Sequence, residues 1–150
     1  MNRTFLFFVF IISCSLLFAN KTDDIIEKIL KDAKKSSEQI LKENNNSTIE
    51  ETKNSSTFLI RSEEYSKSKL GFSWYFSDGI CATIYYNFKY NKRQYDEMIT
   101  KLSRFGKPIK THENIVVIMD LDQGIIITTS VRENIVSIEI MISTDSKIRL

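Results

Sequence analysis

A chain of 150 residues is long enough to form one domain with a buried core. Its 21 basic residues nearly balance its 19 acidic residues, and a net charge near +2 is not the basic excess that is typical of a nucleic-acid-binding protein. Two cysteines, Cys14 and Cys81, and a single histidine, His112, leave few side chains for a disulfide, a zinc site or a catalytic triad.

The first 19 residues have the pattern of an export signal. Arg3 supplies a positive charge, and an apolar run from Phe5 to Phe18 follows, interrupted by only three residues. This run is shorter than the about 20 apolar residues that a membrane-spanning helix needs. Residues 1–19 are therefore predicted to be a signal peptide, and the chain is expected to be exported: periplasmic, attached to the envelope, or secreted.

Two ways of processing this leader are open. Ala19 offers the small residue needed for cleavage before Asn20, although Leu17 is bulky for the −3 position. The residues Ile11-Ile12-Ser13-Cys14 resemble a bacterial lipobox, with Ile where Leu is usual, and this resemblance implies that Cys14 is acylated and begins the mature chain. Apart from a leader that stays uncleaved, a lipid on Cys14 is the only membrane attachment that the sequence predicts.

Residues 20–43 are predicted to hold an amphipathic helix. Apolar side chains recur there with a helical period, while lysine and glutamate fill the other side. An isolated helix of this length is only marginally stable in water, so its apolar stripe must be covered. The stripe offers five residues that could bind a partner: Ile25, Ile29, Leu30, Ile40 and Leu41.

The cover of this stripe is either the chain's own sheet or another protein. Residues 44–57 read as a polar linker in which Ile49 is the only aliphatic residue. Such a linker has almost no apolar side chains that could direct the helix onto the chain's own sheet. We therefore expect the stripe to bind a protein partner or a second copy of the chain.

Residues 58–143 are predicted to form an α+β domain, followed by a polar tail at 144–150. An aromatic hairpin spans Leu70 to Tyr90, a helix spans Asn91 to Phe105, and three strands rich in β-branched residues fill Asn114 to Ile142. The fold class is therefore α+β, with an N-terminal amphipathic helix and linker, then a ββαβββ domain in which one helix packs on an antiparallel sheet.

Turn residues predict how the strands of the aromatic hairpin are paired. A three-residue loop ending at Gly79 would place Trp74 opposite Ala82 on the core face. Cys81 would then lie on the other face. We expect it to be a small packing residue rather than a reactive thiol.

The same reasoning applies to the three C-terminal strands. A three-residue loop ending at Gly124 would place Met119 opposite Ile127, and an even-numbered second loop would place Ile127 opposite Ile140. This choice keeps one face of the sheet apolar, since a slip of one residue would turn those side chains to solvent.

The reactive residues of the chain do not match a known catalytic or metal site. His112 has no second histidine for a zinc pair, and the sequence contains neither Gly-x-Ser-x-Gly nor a glycine-rich phosphate loop. Residues 120–124 resemble part of a calcium loop but lack its third acid and its distal glutamate. The sequence therefore predicts no catalytic residue, no metal and no cofactor.

Two classes of function remain as hypotheses. The first is a non-catalytic, exported or envelope-associated domain that acts in protein–protein interaction. The alternative is a small-ligand carrier or a hydrolase with a pocket between the aromatic hairpin and the helix that follows it. An interaction domain should expose an apolar patch without convergent polar groups, whereas a ligand site should be a closed pocket with a few such groups.

Overall fold

A single antiparallel sheet with helices packed against it organises the chain. The structure, a computed structural model, describes residues 22–33, 35–44, 47–51 and 57–143. The predicted signal peptide, including Cys14, and the predicted tail at 144–150 lie outside these residues. The α+β class and the helix ahead of the sheet are confirmed.

The secondary structure of the described residues consists of short helices and eight strands. The helices are α1 (residues 22–32), α2 (Ser37–Glu43), α3 (Glu63–Ser68) and α4 (Lys92–Leu102), and a 3-10 turn at Ser103–Phe105 extends α4. The strands are β1 (Thr48–Glu51), β2 (Thr57–Arg61), β3 (Gly71–Ser77), β4 (Ile80–Lys89), β5 (Ile109–His112), β6 (Ile115–Asp120), β7 (Ile125–Arg132) and β8 (Ile135–Ile142).

The strand order is β1-β2-β3-β4-β8-β7-β6-β5, and all neighbours are antiparallel. Two meanders, β1 to β4 and β5 to β8, therefore join through the central pair of β4 and β8. The predicted ββαβββ order is present as β3, β4, α4, β6, β7 and β8. To it the structure adds β1, β2, α3 and β5.

The predicted linker is partly a strand. Residues 48–51 form β1, which pairs with β2 at one edge of the sheet. The Thr48 hydroxyl also lies 2.9 Å from the Ser66 hydroxyl of α3. Backbone hydrogen bonds to an open strand edge need no apolar side chains, which is why composition alone predicted a linker here.

The predicted N-terminal helix is interrupted between α1 and α2. Ser36 begins α2 with a capping box: its hydroxyl accepts a hydrogen bond from the Gln39 backbone N–H at 3.4 Å, and the Gln39 side chain accepts one from the Ser36 N–H at 2.9 Å. Serine favours such caps over helix interiors because its hydroxyl competes for backbone groups. The break lets both helices turn apolar residues toward the sheet.

One face of the sheet, called the inner face below, packs against the helices. A single buried cluster joins side chains of α1, α2 and α4 to this face. Its fully buried members include Ile26, Ile29, Ile40, Met98 and Leu102 from the helices and Trp74, Ile84, Ile118, Ile127 and Ile138 from the strands. The helices and the sheet therefore form one folded unit.

The predicted register of β7 against β8 is confirmed. Ile127 lies opposite Ile140, and the chain reverses through the two residues Glu133 and Asn134. Both turn residues have positive φ angles, 50° and 63°, as a two-residue hairpin turn that matches the strand twist requires.

The predicted register of β6 against β7 is wrong by one residue. Ile118, not Met119, lies opposite Ile127. Met119 lies opposite Ile126 and is 40% exposed, whereas Ile118 is fully buried. The shift moves Met119 from the expected core to the opposite face of the sheet.

A side-chain cap explains this shift. The chain turns through four residues, and the Asp120 carboxylate accepts hydrogen bonds from the Gln123 backbone N–H at 3.0 Å and from its side-chain amide at 2.6 Å. Gly124 ends the turn at φ 63°. Aspartate favours such local bonds to a backbone N–H a few residues on, and this one stabilises the longer turn over the expected three-residue loop.

The predicted register of the aromatic hairpin is also wrong. Trp74 lies opposite Ile84 rather than Ala82. A register shift between Tyr75 and Phe76 adds one further residue to β4, and the chain turns through only two residues, Asp78 and Gly79. Their φ angles of 52° and 77° match the two-residue hairpin turn in which both central residues have positive φ.

The two-residue turn places Cys81 on the inner face, and the register shift beside Phe76 then turns Ile84 and Tyr86 to the same face. Cys81 lies opposite Phe76 and is buried, whereas Ile80 lies opposite Ser77 and is 49% exposed. A bulge of this kind adds one residue to one strand and turns the side chains that follow it. Because the turn has two residues and not three, Cys81 is on the inner face, not on the other face as predicted.

Candidate interaction surface

The five residues predicted to bind a partner are covered by the chain itself. Ile25, Ile29, Leu30 and Ile40 are at most 7% exposed, and Leu41 packs at the margin of the same buried cluster. The prediction that this stripe is an open docking surface is therefore corrected, because the chain's own sheet is its cover.

A buried carboxylate fixes α1 on the sheet. Asp32 is 1% exposed, and its Oδ2 accepts a hydrogen bond of 3.0 Å from the indole Nε1 of Trp74 in β3. The ammonium groups of Lys28 and Lys35 each lie 2.9 Å from the same carboxylate. Three donors offset the cost of burying the charge.

Sequence reasoning missed the role of Asp32, although a signal was present. Asp32 follows Ile25 by seven residues and Ile29 by three, a spacing that places it on the apolar side of the helix. A charged residue on such a stripe indicates a buried partner, but the sequence cannot identify Trp74 as that partner.

The cleft between α1 and α2 is lined by charged side chains. Its volume is about 330 Å³, and it is lined by Asp24, Glu27, Lys28, Lys31, Asp32, Lys35 and Glu43. Each of its lysines is paired with an acid of the same cleft: Lys28 with Asp32, Lys31 with Glu27, and Lys35 with both Asp32 and Glu43. A small-ligand pocket is typically mostly apolar with a few polar groups, and this cleft has the opposite character.

The place predicted for a ligand pocket, between the aromatic hairpin and α4, holds core side chains. Met98 and Leu102 of α4 are at most 1% exposed and belong to the same buried cluster as Trp74 and Phe88 of the hairpin. Nothing in this packing favours the ligand-carrier hypothesis.

Cys81 and His112 have environments that do not support catalysis. Burial, with a smaller contribution from the Asp32 carboxylate, raises the pKa of the Cys81 thiol to about 12, so that the nucleophilic thiolate is suppressed. His112 lies on the exposed edge strand β5. Within residues 22–33, 35–44, 47–51 and 57–143, no three His, Cys, Asp or Glu side chains come together as a metal site.

The other face of the sheet, called the outer face below, carries a row of apolar side chains. Cross-strand partners on six adjacent strands form a continuous line, called the apolar row: Leu59, Tyr75, Thr83, Met141, Ile126 and Met119. A second row lies beside it, formed by Arg61, Ser73, Tyr85, Glu139, Thr128, Val117 and Ile109.

Part of this outer face is open to solvent. Met119 is 40% exposed, Met141 is 36% exposed and Ile109 is 48% exposed. Leu121, the first residue of the turn that follows β6, is 75% exposed. Large exposed apolar side chains that are neighbours in space are typical of a binding surface, whereas isolated ones are not.

The composition of the two rows is that of a protein interface. Only two of their thirteen residues, Arg61 and Glu139, are charged, although 27% of the whole chain is charged. Lysine, the commonest cation of this chain, does not occur in either row. Methionine, tyrosine and arginine are enriched at protein interfaces, while lysine and acids are depleted there.

The acid of the second row is paired within the chain. The Tyr85 hydroxyl donates a hydrogen bond of 3.1 Å to Glu139 Oε1. Burial, followed by the neighbouring Glu139 charge, raises the pKa of Tyr85 to about 12. Tyr85 is therefore a neutral donor at physiological pH, and it holds the Glu139 carboxylate within the row.

A comparison of the chain with protein-family models, with curated proteins and with solved structures finds no match. In the part of the chain that the structure describes, no helix is both long enough and apolar enough to span a membrane. The assignment of a function therefore rests on the geometry and chemistry of the surfaces described above.

Proposed function

We propose that this chain is an exported, non-catalytic domain that binds a protein through the outer face of its sheet. The observation that carries the proposal is the apolar row, in which Met119 and Met141 are exposed beside Ile126. Fully burying a methionine contributes about 1.5–3 kcal/mol. Met119 and Met141 are 40% and 36% exposed, so several residues of the row must be buried together to supply the energy of a moderate complex.

The face of the sheet is better suited to binding than its edge at β5. That edge strand has only four residues, follows Pro108, and has a register irregularity between Lys110 and His112. Short strands, proline, lysine and bulges are the features by which proteins prevent another strand from pairing at an edge. Addition of a partner strand at β5 is therefore disfavoured.

Site-specific photo-crosslinking tests the binding surface. A photoreactive amino acid replaces Met119 in the full chain, and a control replaces Thr100, an exposed residue of α4 on the helical side. In the cell that makes the protein, ultraviolet light should yield a protein adduct at position 119 and not at position 100. Equal adducts at both positions, or none at 119, would contradict the proposal.

Export is tested separately by mass. The intact mass of the protein recovered outside the cytoplasm should correspond to a chain that begins at Asn20 or at an acylated Cys14. Recovery of a chain that retains Met1 would contradict both ways of processing and favour an uncleaved anchor.

A further inference from the structure

We infer that the protein bound by the outer face is a second copy of this chain, packed face to face around a two-fold axis. The inference rests on the proposed function, because it names the partner of the same surface. Its support is the match between the two halves of the outer face, together with the area of that face.

The strand order defines where such an axis must lie. The centre of the sheet falls between β4 and β8, with four strands on each side. Two identical sheets can face each other only around an axis in the plane between them, and an axis parallel to the strands places each half of one sheet on the other half of its copy. Strand β4 then faces β8 of the second copy, β3 faces β7, and β2 faces β6.

This arrangement pairs the apolar row with itself. The large apolar side chains of β2 and β3 meet those of β6 and β7, and a threonine meets a methionine at the axis. The three opposed pairs, each occurring twice, are Thr83 with Met141, Tyr75 with Ile126, and Leu59 with Met119. Face-to-face sheets interdigitate such side chains at a separation of about 10 Å.

One polar pair of the second row is also matched. Tyr85 lies opposite Glu139 of the other copy, whereas Ser73 is only 3% exposed and is already covered within the single chain. Each Tyr85 hydroxyl donates to Glu139 of its own chain, so both carboxylates near the axis enter the interface already hydrogen-bonded. The guanidinium of Arg61, on strand β2, lies over the Tyr65 ring of α3 with its Cζ 5.4 Å from the ring centroid, and its Nε is buried within the single chain.

The area of the face is that of a stable dimer. Eight strands at spacings of about 4.8 Å, with about seven residues rising about 3.3 Å each, give a face on the order of 800–900 Å². Specific protein complexes bury about 800 Å² on each partner. Helix α3 lies at one margin of this face, with Tyr65 beside Arg61 and Ser66 beside Thr48, so an interface of this size includes α3 side chains as well as the sheet.

Sedimentation equilibrium of the protein recovered from expression of the full chain tests this arrangement. At roughly 50 µM, above the micromolar Kd of weak interfaces of this size, the wild-type protein should be a dimer. Met119→Glu should make it a monomer at the same concentration, since the new carboxylate would be buried against Leu59. Thr100→Glu adds the same charge on the helical side and should remain dimeric.

Folding of each variant is checked by its thermal unfolding. Met119 is 40% exposed in the single chain, so a glutamate there keeps water contact and Met119→Glu should melt close to wild type when both are monomeric. A Met119→Glu protein that stays folded and dimeric would overturn the inference.

A pair of variants tests the register of the two copies. Leu59→Lys and Met119→Glu should each be monomeric alone, because each homodimer buries two unpaired charges. Their mixture should form a heterodimer, in which the lysine of one copy meets the glutamate of the other and the second Leu59–Met119 contact stays apolar. Mixing Met119→Glu with Met141→Lys is the matched control, since these positions lie about three strands apart and should not rescue each other.

Failure of this inference is distinct from failure of the proposed function. A wild-type protein that is monomeric at every concentration would overturn the second copy as the partner. If position 119 then still crosslinks to a different protein, the outer face remains a binding surface for that protein. A crosslink within the chain to residues 144–150 would overturn both proposals.

Discussion

The two faces of the sheet are built from the same strands but differ in what covers them. On the inner face, Trp74 and Ile127 are buried beneath α1, α2 and α4. On the outer face, Met119 and Met141 are nearly as apolar yet more than a third exposed. The difference teaches that the apolar content of a strand does not identify the core. The covering helices and the strand register together decide which apolar residues are buried.

The strongest test of this comparison removes the cover of the inner face. Deleting residues 22–44 would expose a strip of core that now buries five aliphatic side chains from α1 and α2, each contributing about 1.5–3 kcal/mol. Their sum is comparable to the about 5–15 kcal/mol stability of a whole domain. The shortened chain should therefore lose its cooperative thermal transition in calorimetry. A transition within a few degrees of wild type would mean that these helices do not stabilise the sheet.

A smaller test compares one buried and one exposed residue. Leu102→Ala should lower the free energy of unfolding by about 2–5 kcal/mol, because it removes a fully buried side chain and leaves a cavity under α4. Met119→Ala, on the outer face, should change it by less than about 1 kcal/mol in the monomer. Urea titrations of both variants measure the difference. Equal losses of unfolding free energy in the two variants would indicate that Met119 is as buried as Leu102 in the monomer.

Asp32 tests how α1 is held on the sheet. Asp32→Ala should lower the free energy of unfolding by about 1–3 kcal/mol, because the buried Trp74 N–H loses its acceptor. The cost is limited since Lys28 and Lys35 are partly exposed and can turn toward water. Trp74→Phe removes the donor. The double variant should lose less unfolding free energy than the sum of the losses of the two single variants. Full additivity would show that the two side chains do not interact.

The smallest expected effect concerns Cys81 and alkaline pH. Its pKa is raised from 9.0 to about 12 in the folded chain, so folding favours the protonated thiol. The resulting stability is fully present below pH 9 and is lost as the pH rises toward 12. At pH 8, a thiol reagent should label Cys81 in urea and leave the folded protein unlabelled. Rapid labelling without urea would place Cys81 on an exposed surface.

The sequence predicted those parts of the fold in which only one face of a strand is apolar. Strand β8 alternates apolar residues with Ser137 and Glu139, so its register against β7 could be inferred. Strand β6 reads Val116, Val117, Ile118 and Met119, apolar on both sides, and its pattern allows either register. The register is determined by the hydrogen bonds of the Asp120 side chain in the turn, and the spacing of apolar residues carries no information about these bonds.

The candidate surface was less predictable than the fold. The outer face is defined by residues that become neighbours only through strand pairing, and two of the three hairpin registers on which it depends were wrong. The two-residue turn at Asp78 and Gly79 exchanges the faces of Ile80 and Cys81, and the bulge beside Phe76, which gives no composition signal, turns Ile84 to the inner face. The predicted docking stripe failed for a related reason, since the Asp32–Trp74 hydrogen bond joins residues far apart in sequence.

The position of β8 in the sheet also determines when the protein can fold. It is the last strand of the described residues, yet it pairs with β4 on one side and with β7 on the other. In a growing chain that has emerged only as far as β7, no strand pairing joins the two meanders, and each has an unpaired strand edge. The pairing of β4 with β8 joins distant parts of the chain and must wait for synthesis to reach Ile142, so folding follows synthesis instead of accompanying it. Such a delay is compatible with a chain that crosses a membrane unfolded.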